Sequence, residues 1–190
     1  MPDLSRLCLH TITTKPWDLR TAVAKYQAAG VRGISVWTHA VEKMDLTEAR
    51  TLITDHGLEI VSYVRGGFFP HLSAAGRQQA IEDNKKLIVQ AATLGAPMIV
   101  LVCGAAPGQS LGTSRAQIQA GIEAVLPFAA EHGVKLAIEP LHPMYADTRS
   151  AVNTLGQAND LAEAIGSPWV GVAVDVYHLW WDPELEAQIA

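Results

Sequence analysis

A phrase in which a helical segment ends at a glycine and a short apolar strand follows at once recurs five times along the chain. Its copies read AAGVRGISVW, DHGLEIVSYV, TLGAPMIVLV, EHGVKLAIEP and AIGSPWVGVAVD. Glycine commonly ends a helix because it adopts the left-handed backbone conformation without steric cost. Together with the opening segment RLCLHTI, the phrase predicts six strands, each followed by a helix.

Helix start signals lie in the segments between the predicted strands. Asp45 stands three residues before Glu48, Ser73 precedes a long helical pattern, and Asp182 is followed by Pro183. Because strands that alternate with helices return each time to the same end of the sheet, this order predicts a parallel α/β sheet.

Side-chain alternation favours a closed barrel over an open doubly wound sheet. In the predicted sixth strand, a valine series ending at Val174 alternates with Gly171, Ala173 and Asp175, and the fifth strand ends in the same way at Glu139. One face is therefore branched and suited to pack under helices, whereas the other is small or polar. A doubly wound sheet needs apolar residues on both faces, but the interior of a barrel also reaches the active-site mouth. No glycine-rich phosphate loop follows any predicted strand.

The predicted fold is an α/β (β/α)8 TIM barrel with about six βα units, and residues 1–190 are assigned to this single domain. A complete barrel usually takes about 250 residues. We therefore expect the sequence to represent the N-terminal three quarters of a barrel, without its last two βα units.

Composition narrows the classes of partner and location. The net charge is −5 and the longest basic run is Lys85–Lys86, so we expect no nucleic-acid partner. The N-terminus has no signal-peptide pattern and no window approaches about 18 apolar residues, so we expect no membrane contact. Cys8 and Cys103 are too few for a disulfide framework, which favours a cytoplasmic location. The sequence leaves open whether the protein forms a homo-oligomer.

Two carboxylates are expected at the carboxyl ends of adjacent strands. Glu139 and Asp175 are 36 residues apart, one strand–helix unit, and share the inward side of the alternation. Carboxylates on strands about 4.8 Å apart repel each other unless a proton, a basic side chain or a cation intervenes. A divalent ion bound by Glu139 and Asp175 is favoured, with Mn²⁺ first and Mg²⁺, Co²⁺ or Zn²⁺ as alternatives. The competing interpretation is an ion pair with Lys135 or Arg149.

Several other polar and aromatic side chains are expected around the same mouth. His178 follows Asp175 by three residues and is a candidate for the metal shell or for a substrate oxygen, and His142 lies in a loop held by two prolines. The candidates for substrate contacts are His142, Arg65, Trp37 and His10. Each has a structural alternative, namely a rigid loop, an ion pair or ordinary packing.

The segments AIEP with Glu139 and VDVYH with Asp175 and His178, together with the glycine-then-strand rhythm, resemble the xylose-isomerase-like barrels of sugar phosphate isomerases and epimerases. In the similar ketose 3-epimerases, four strand-end residues bind one divalent ion. The resemblance implies that Glu139 and Asp175 are metal ligands, that Glu139 also moves a substrate proton, and that His178 contacts substrate. The histidine of the seventh strand and the glutamate of the eighth have no counterpart within these 190 residues.

The resemblance implies a metal-dependent isomerase or epimerase that removes a proton next to a carbonyl of a sugar or polyol-derived keto compound through an ene-diolate. A lyase or dehydratase acting on a keto-sugar or inosose could use the same intermediate. A noncatalytic sugar-binding barrel or subunit is the alternative from another class. The related apurinic-site endonucleases bind additional zinc ions through earlier histidines, where this chain has Arg65 and Cys103.

Overall fold

Six parallel strands form one sheet in which spatial order follows chain order. The computed structural model describes residue 4 and residues 6–189. The strands are β1 (Cys8–His10), β2 (Gly33–Trp37), β3 (Glu59–Gly67), β4 (Met98–Val102), β5 (Lys135–Glu139) and β6 (Val170–Val172). The helices are α1 (Leu19–Ala28), α2 (Leu46–Asp55), α3 (Ala74–Leu94), α4 (Leu111–Glu131), α5 (Leu155–Ile165), α6 (Val176–Leu179) and α7 (Leu185–Ile189). The α/β prediction is confirmed, and the sheet is consistent with a partial TIM barrel.

The helix boundaries follow the local signals of the sequence. The side chain of Asp45 accepts from the backbone N–H groups at the start of α2, and Ser73 does the same for α3. Gly95 and Gly166 end α3 and α5 in the left-handed conformation, with φ of 85° and 63°. No helix within residues 6–189 is long and apolar enough to cross a bilayer.

The predicted alternation of side chains is confirmed in the central strands. Ile34, Val36, Leu136 and Ile138 are fully buried in the core between the sheet and the helices. On the opposite face of β2 and β3, the hydroxyl groups of two buried serines, Ser35 and Ser62, lie 2.6 Å apart and share a hydrogen bond. The inner face of the sheet therefore carries small polar side chains at β2 and β3, as a barrel interior near its mouth allows.

The prediction that Val174 packs under the helices is wrong. β6 ends at Val172, and the chain leaves the strand geometry before Val174, which is 47% exposed. At the next residue, the carboxylate of Asp175 accepts a hydrogen bond from the backbone N–H of Tyr177 and begins α6. Alternation predicts facing only while the strand continues, so it fails past Val172.

Asp182 has a second partner besides the helix start that its sequence context predicts. Its carboxylate accepts from the N–H of Glu184 at 3.1 Å, but its second oxygen accepts from the N–H of Leu155 at 2.9 Å. Leu155 is the first residue of α5, so this buried carboxylate joins the segment after α6 to the start of an earlier helix.

A buried asparagine joins α3 to the carboxyl end of β3. Asn84 is 3% exposed, and its side-chain oxygen accepts from the N–H of Gly67 at 2.7 Å. Its amide nitrogen donates to the carbonyl of Gly67 at 2.7 Å and to that of Ala80 at 2.9 Å. The end of β3 is therefore held by side-chain hydrogen bonds from the helix that follows it.

Replacing Asn84 by leucine should destabilise the protein. The substitution removes both Asn84 hydrogen bonds to Gly67 and leaves buried backbone groups without these partners, at a cost of about 2–4 kcal/mol in the free energy of unfolding. Urea denaturation measures this loss. The control is Lys86→Ala on the exposed side of α3, where the solvent-exposed ion pair with Asp83 should contribute little to stability. Equal effects of the two changes would contradict the assignment.

Candidate active site and metal centre

A cavity of about 490 Å³ opens at the carboxyl ends of the strands. Four of the seven residues that the sequence predicts for the site line it, namely His10, Trp37, Glu139 and Asp175. They come from β1, β2, β5 and the segment after β6, so parallel strands bring together residues that are up to 165 positions apart. The floor is formed by small and branched side chains of β3 and β4.

The two carboxylates reach the cavity by different local structures. Glu139 is the last residue of β5 and keeps the inward direction of its strand. The register pairs Ile138 with Val172, so Asp175 lies beyond the level of Glu139 and outside the strand. One oxygen of Asp175 accepts the Tyr177 N–H at 2.8 Å, which fixes the carboxylate at the start of α6. Its other oxygen is available to a ligand.

Glu139 has the most perturbed carboxyl group of the cavity. Burial, and after it the negative charge of Asp175, raise its pKa to about 7 against the opposing positive charge of Arg65. At neutral pH this carboxyl group is therefore divided between its protonated and ionised forms. Such a group can accept and return a proton, and a cation beside it would favour the ionised form.

The side chains at the cavity supply part of the ligand set that a divalent cation needs. Within residues 6–189, no group of three or more His, Cys, Asp or Glu side chains is placed to bind a metal ion. Glu139 and Asp175 alone supply two hard oxygen donors whose mutual repulsion a cation would relieve. Mg²⁺ and similar ions are often bound through one or two carboxylates, with water and substrate oxygens completing the shell. The two carboxylates therefore fit as a partial ligand set.

His10 is held by a neighbour on the next strand. The indole N–H of Trp37 donates to Nδ1 of His10 at 3.4 Å. Because an indole nitrogen can only donate, Nδ1 must be the acceptor and the neutral ring carries its proton on Nε2. Burial lowers the pKa of His10, and the charge of Asp175 opposes this effect. A neutral imidazole with an Nε2–H donor is therefore favoured beside the cavity.

Arg65 lies outside this cavity, although the sequence places it at the same mouth. The pairing of β3 with β4 shifts between Val64 and Gly66, so Arg65 is a bulge residue. A bulge redirects a side chain, and Arg65 lines a separate cleft of about 610 Å³ between α2 and α3. Its guanidinium carbon lies 5.0 Å from the ring centre of Phe68 and 5.9 Å from that of Trp37.

His142 and His178 also lie beside the cavity rather than on its walls. They belong to an aromatic cluster formed by His142, Tyr145, Tyr177, His178, Trp180 and Trp181. The His142 ring stacks on Trp180, with centres 6.3 Å apart, and the His178 ring meets Tyr145 edge-on at 5.7 Å. Burial lowers the pKa of His178, whereas Asp175 raises it. Its buried Nδ1 has no hydrogen-bond partner within residues 6–189, so His178 keeps a free polar atom next to Asp175.

Sequence reasoning did not single out Ser62, which lines the cavity. Its hydroxyl group shares the hydrogen bond with Ser35, and both residues lie on the inner face of adjacent strands. The sequence signal for Ser62 is the lone hydroxyl group within the apolar run EIVSYV.

Comparison with known proteins identifies the family of this fold. An inosose isomerase from Halalkalibacterium halodurans is 30% identical over 116 residues, which cover 58% of this chain and 38% of that protein. A crystal structure of a protein from Sinorhizobium meliloti 1021 is 45% identical, with a TM-score of 0.93 over 98% of this chain and 69% of that one. The crystal structure of the IOLI protein with a bound zinc atom is 20% identical, with a TM-score of 0.78 over 90% of this chain and 63% of that one.

This chain thus spans little more than a third of the curated relative that it matches. The family model described as xylose isomerase-like TIM barrel matches residues 23–190, which include β2 to β6 and both cavity carboxylates. The chain therefore belongs to the xylose isomerase-like TIM barrel family.

Proposed function

We propose that this protein takes part in a divalent-metal-dependent isomerisation or epimerisation of a sugar or of a polyol-derived keto compound. The observation that carries the proposal is the pair of carboxylates at one cavity, with the pKa of Glu139 raised to about 7. The likeness to an inosose isomerase supports this reaction class, and the zinc atom of the IOLI structure supports a divalent ion.

Glu139 is the proposed proton-transfer group. A base works best when its pKa lies near the working pH, because it is then ionised often enough to accept a proton and acidic enough to return it. Burial and the neighbouring Asp175 place Glu139 in this range. Glu139 would take the proton from the carbon next to the substrate carbonyl and, in an isomerisation, return it to the former carbonyl carbon. In an epimerisation, an acid on the opposite face of the first carbon would supply the returning proton.

Glu139 and Asp175 are the proposed metal ligands, with Mn²⁺ as the first candidate and Mg²⁺, Co²⁺ or Zn²⁺ as alternatives. A divalent ion bound there would supply electrophilic polarisation of the substrate carbonyl. Since one oxygen of Asp175 already accepts the Tyr177 N–H, the other is the donor that remains for an ion.

The remaining residues of the site would position the substrate. The Nε2–H of His10, fixed by the hydrogen bond from Trp37, can donate to a substrate oxygen, while the Trp37 ring offers an apolar wall. His178 would contact substrate from the aromatic cluster, beside Asp175. His142 packs against Trp180 and is proposed as the outermost contact.

Removing either carboxylate should weaken metal binding. Glu139→Gln and Asp175→Asn each lose a charged oxygen donor, so the Mn²⁺ dissociation constant should rise at least about tenfold in each variant. Isothermal titration calorimetry with Mn²⁺ measures this change. Glu163→Gln and Asp160→Asn, exposed carboxylates on α5, are the matched controls and should bind as the wild type does. Wild-type affinity in both cavity variants would exclude the proposed ligands.

In the metal-free protein, Glu139 should make the folded state less stable as the pH rises. Its pKa is about 7 when folded and about 4.5 when unfolded, so the folded state retains the proton longer and is favoured at low pH. Between pH 4.5 and 7.5, the wild type should lose roughly 2–3 kcal/mol of unfolding free energy relative to Glu139→Gln. Urea denaturation in a chelating buffer measures the difference, and the same pH profile in both proteins would contradict it.

Proton abstraction should be visible as hydrogen exchange. With Mn²⁺ and an inosose in deuterated water, deuterium should enter the carbon next to the carbonyl, and mass spectrometry would detect it. Glu139→Gln should slow this exchange by about 10²–10⁴-fold, whereas Glu163→Gln should not. A new product with a conjugated carbonyl would favour the lyase alternative. If the metal-bound protein catalyses neither reaction on any keto-sugar tested, the result would favour the noncatalytic sugar-binding alternative.

A further inference from the structure

Two buried serines on the inner face of the sheet form a hydrogen-bonded pair that no other side chain joins. Ser35 is 1% exposed and Ser62 is 5% exposed, and their hydroxyl oxygens lie 2.6 Å apart. In the part of the chain that the structure describes, this is the only hydrogen bond that either side chain makes. Burying hydroxyl groups costs free energy, and packing alone would favour an apolar side chain such as Val64, which also lines the cavity.

A count of protons shows that one hydroxyl group of the pair keeps a free donor. The two groups carry two protons, but their mutual hydrogen bond uses one of them. If Ser62 donated to Ser35, the proton of Ser35 would be left without an acceptor in nearly complete burial. If Ser35 donates instead, the proton of Ser62 is free to point into the cavity that Ser62 lines. The second arrangement is favoured, because it leaves no unpaired donor in the core.

The strand register places this donor beside His10 and apart from the carboxylates. Ser35 pairs with His10 on β1 and with Ser62 on β3, so the three residues form one row across adjacent strands. Toward β5, the wall of the cavity is formed by Val64 and Val100, which pair with each other. A ligand in the cavity therefore meets polar groups at two separate places, with an apolar wall between them.

We propose that Ser62 is a specificity-determining residue, whose hydroxyl group donates to a hydroxyl oxygen of the substrate that is remote from the substrate carbonyl. The inference rests on the proposed function for the position of the reacting carbons at Glu139 and Asp175, and adds which part of the substrate the opposite wall selects. Ser35 is a positioning residue, because its hydrogen bond directs the Ser62 hydroxyl group and polarises it. The carbon skeleton between the two ends would lie against the apolar wall.

A donor of this kind selects a hydroxylated substrate over its deoxy analogue. When the analogue lacks the hydroxyl group, the donor of Ser62 stays unpaired in the closed site. One neutral hydrogen bond corresponds to an affinity difference of roughly three- to tenfold. Since Ser62 has one free proton, the preference should concern one hydroxyl position of the substrate and no other.

An inosose and its mono-deoxy analogues are the probes, and ligand-observed NMR in a chelating buffer measures their dissociation constants without metal-dependent turnover. Wild-type protein should bind the inosose roughly three- to tenfold more tightly than one of the analogues. Ser62→Ala should bind these two compounds equally and keep the wild-type ranking of the others. Ser110→Ala, which removes an exposed helix cap outside the cavity, is the matched control and should keep every preference.

Three results would overturn the proposal. They are the same preferences in Ser62→Ala as in the wild type, an equal loss of preference in Ser110→Ala, and wild-type protein that binds no inosose either with or without Mn²⁺.

Two further variants separate binding from folding. Ser62→Ala leaves the Ser35 hydroxyl group without its partner, whereas the double variant Ser35→Ala/Ser62→Ala removes both groups together. The double variant should therefore unfold at a urea concentration closer to that of the wild type, and it should show the same loss of preference. Ser35→Ala keeps the donor of Ser62 without its direction, so its preference should be intermediate. A double variant that folds and keeps the wild-type preference would also overturn the proposal.

Kinetics distinguish this inference from the proposed function. In the active protein, Ser62→Ala should raise KM for the inosose roughly three- to tenfold with little change in kcat, because the lost hydrogen bond is remote from the reacting carbons. Deuterium exchange with the same KM in Ser62→Ala and the wild type would reject the role of Ser62 and keep the reaction. A selective loss of preference in Ser62→Ala, in a protein that catalyses no exchange, would keep the role of Ser62 and reject the reaction.

Discussion

All six strands run in the same direction, and the rest of the structure depends on that alignment. Their branched side chains face one way, where Ile34, Val36 and Leu136 are buried under the helices. Burial of these side chains supplies the main favourable free energy of folding. The opposite face lines the cavity with serine, valine and alanine side chains, and all the carboxyl ends meet at one edge. The site therefore follows from the same alternation that builds the core.

The charged side chains at this edge do not neutralise one another. Glu139 and Asp175 are close enough for one to raise the pKa of the other, while Arg65 only partly offsets them. Arg65 and Arg149 repel each other in turn. Neither pair is neutralised by direct contact with the other, since no ion pair joins them within residues 6–189. A divalent cation at the carboxylates would offset the repulsion between Glu139 and Asp175.

The loops around the cavity are held by side-chain hydrogen bonds, whereas the strands of the sheet are held by backbone hydrogen bonds. Asn84 holds the end of β3 through the backbone of Gly67, and Asp182 holds the segment after α6 through the N–H of Leu155. The indole of Trp181 donates to the carbonyl of His178 at 2.9 Å. Each contact orders a loop that carries a candidate site residue, so precision at the site comes from buried polar groups outside it.

Local sequence patterns predict the alternation of strands and helices, the burial of one strand face and the position of Glu139 at the end of β5. These properties depend on neighbours within a few residues, through side-chain periodicity, helix capping and the conformations open to glycine. Contacts between distant parts of the chain place Arg65 outside the main cavity at a bulge, leave Val174 exposed, and pack His142 and His178 among aromatic rings. The same kind of contact brings the segments before Arg149 and after β3 together at Gly104. Bulges and loop contacts depend on residues far apart in the chain, so no local pattern could predict them.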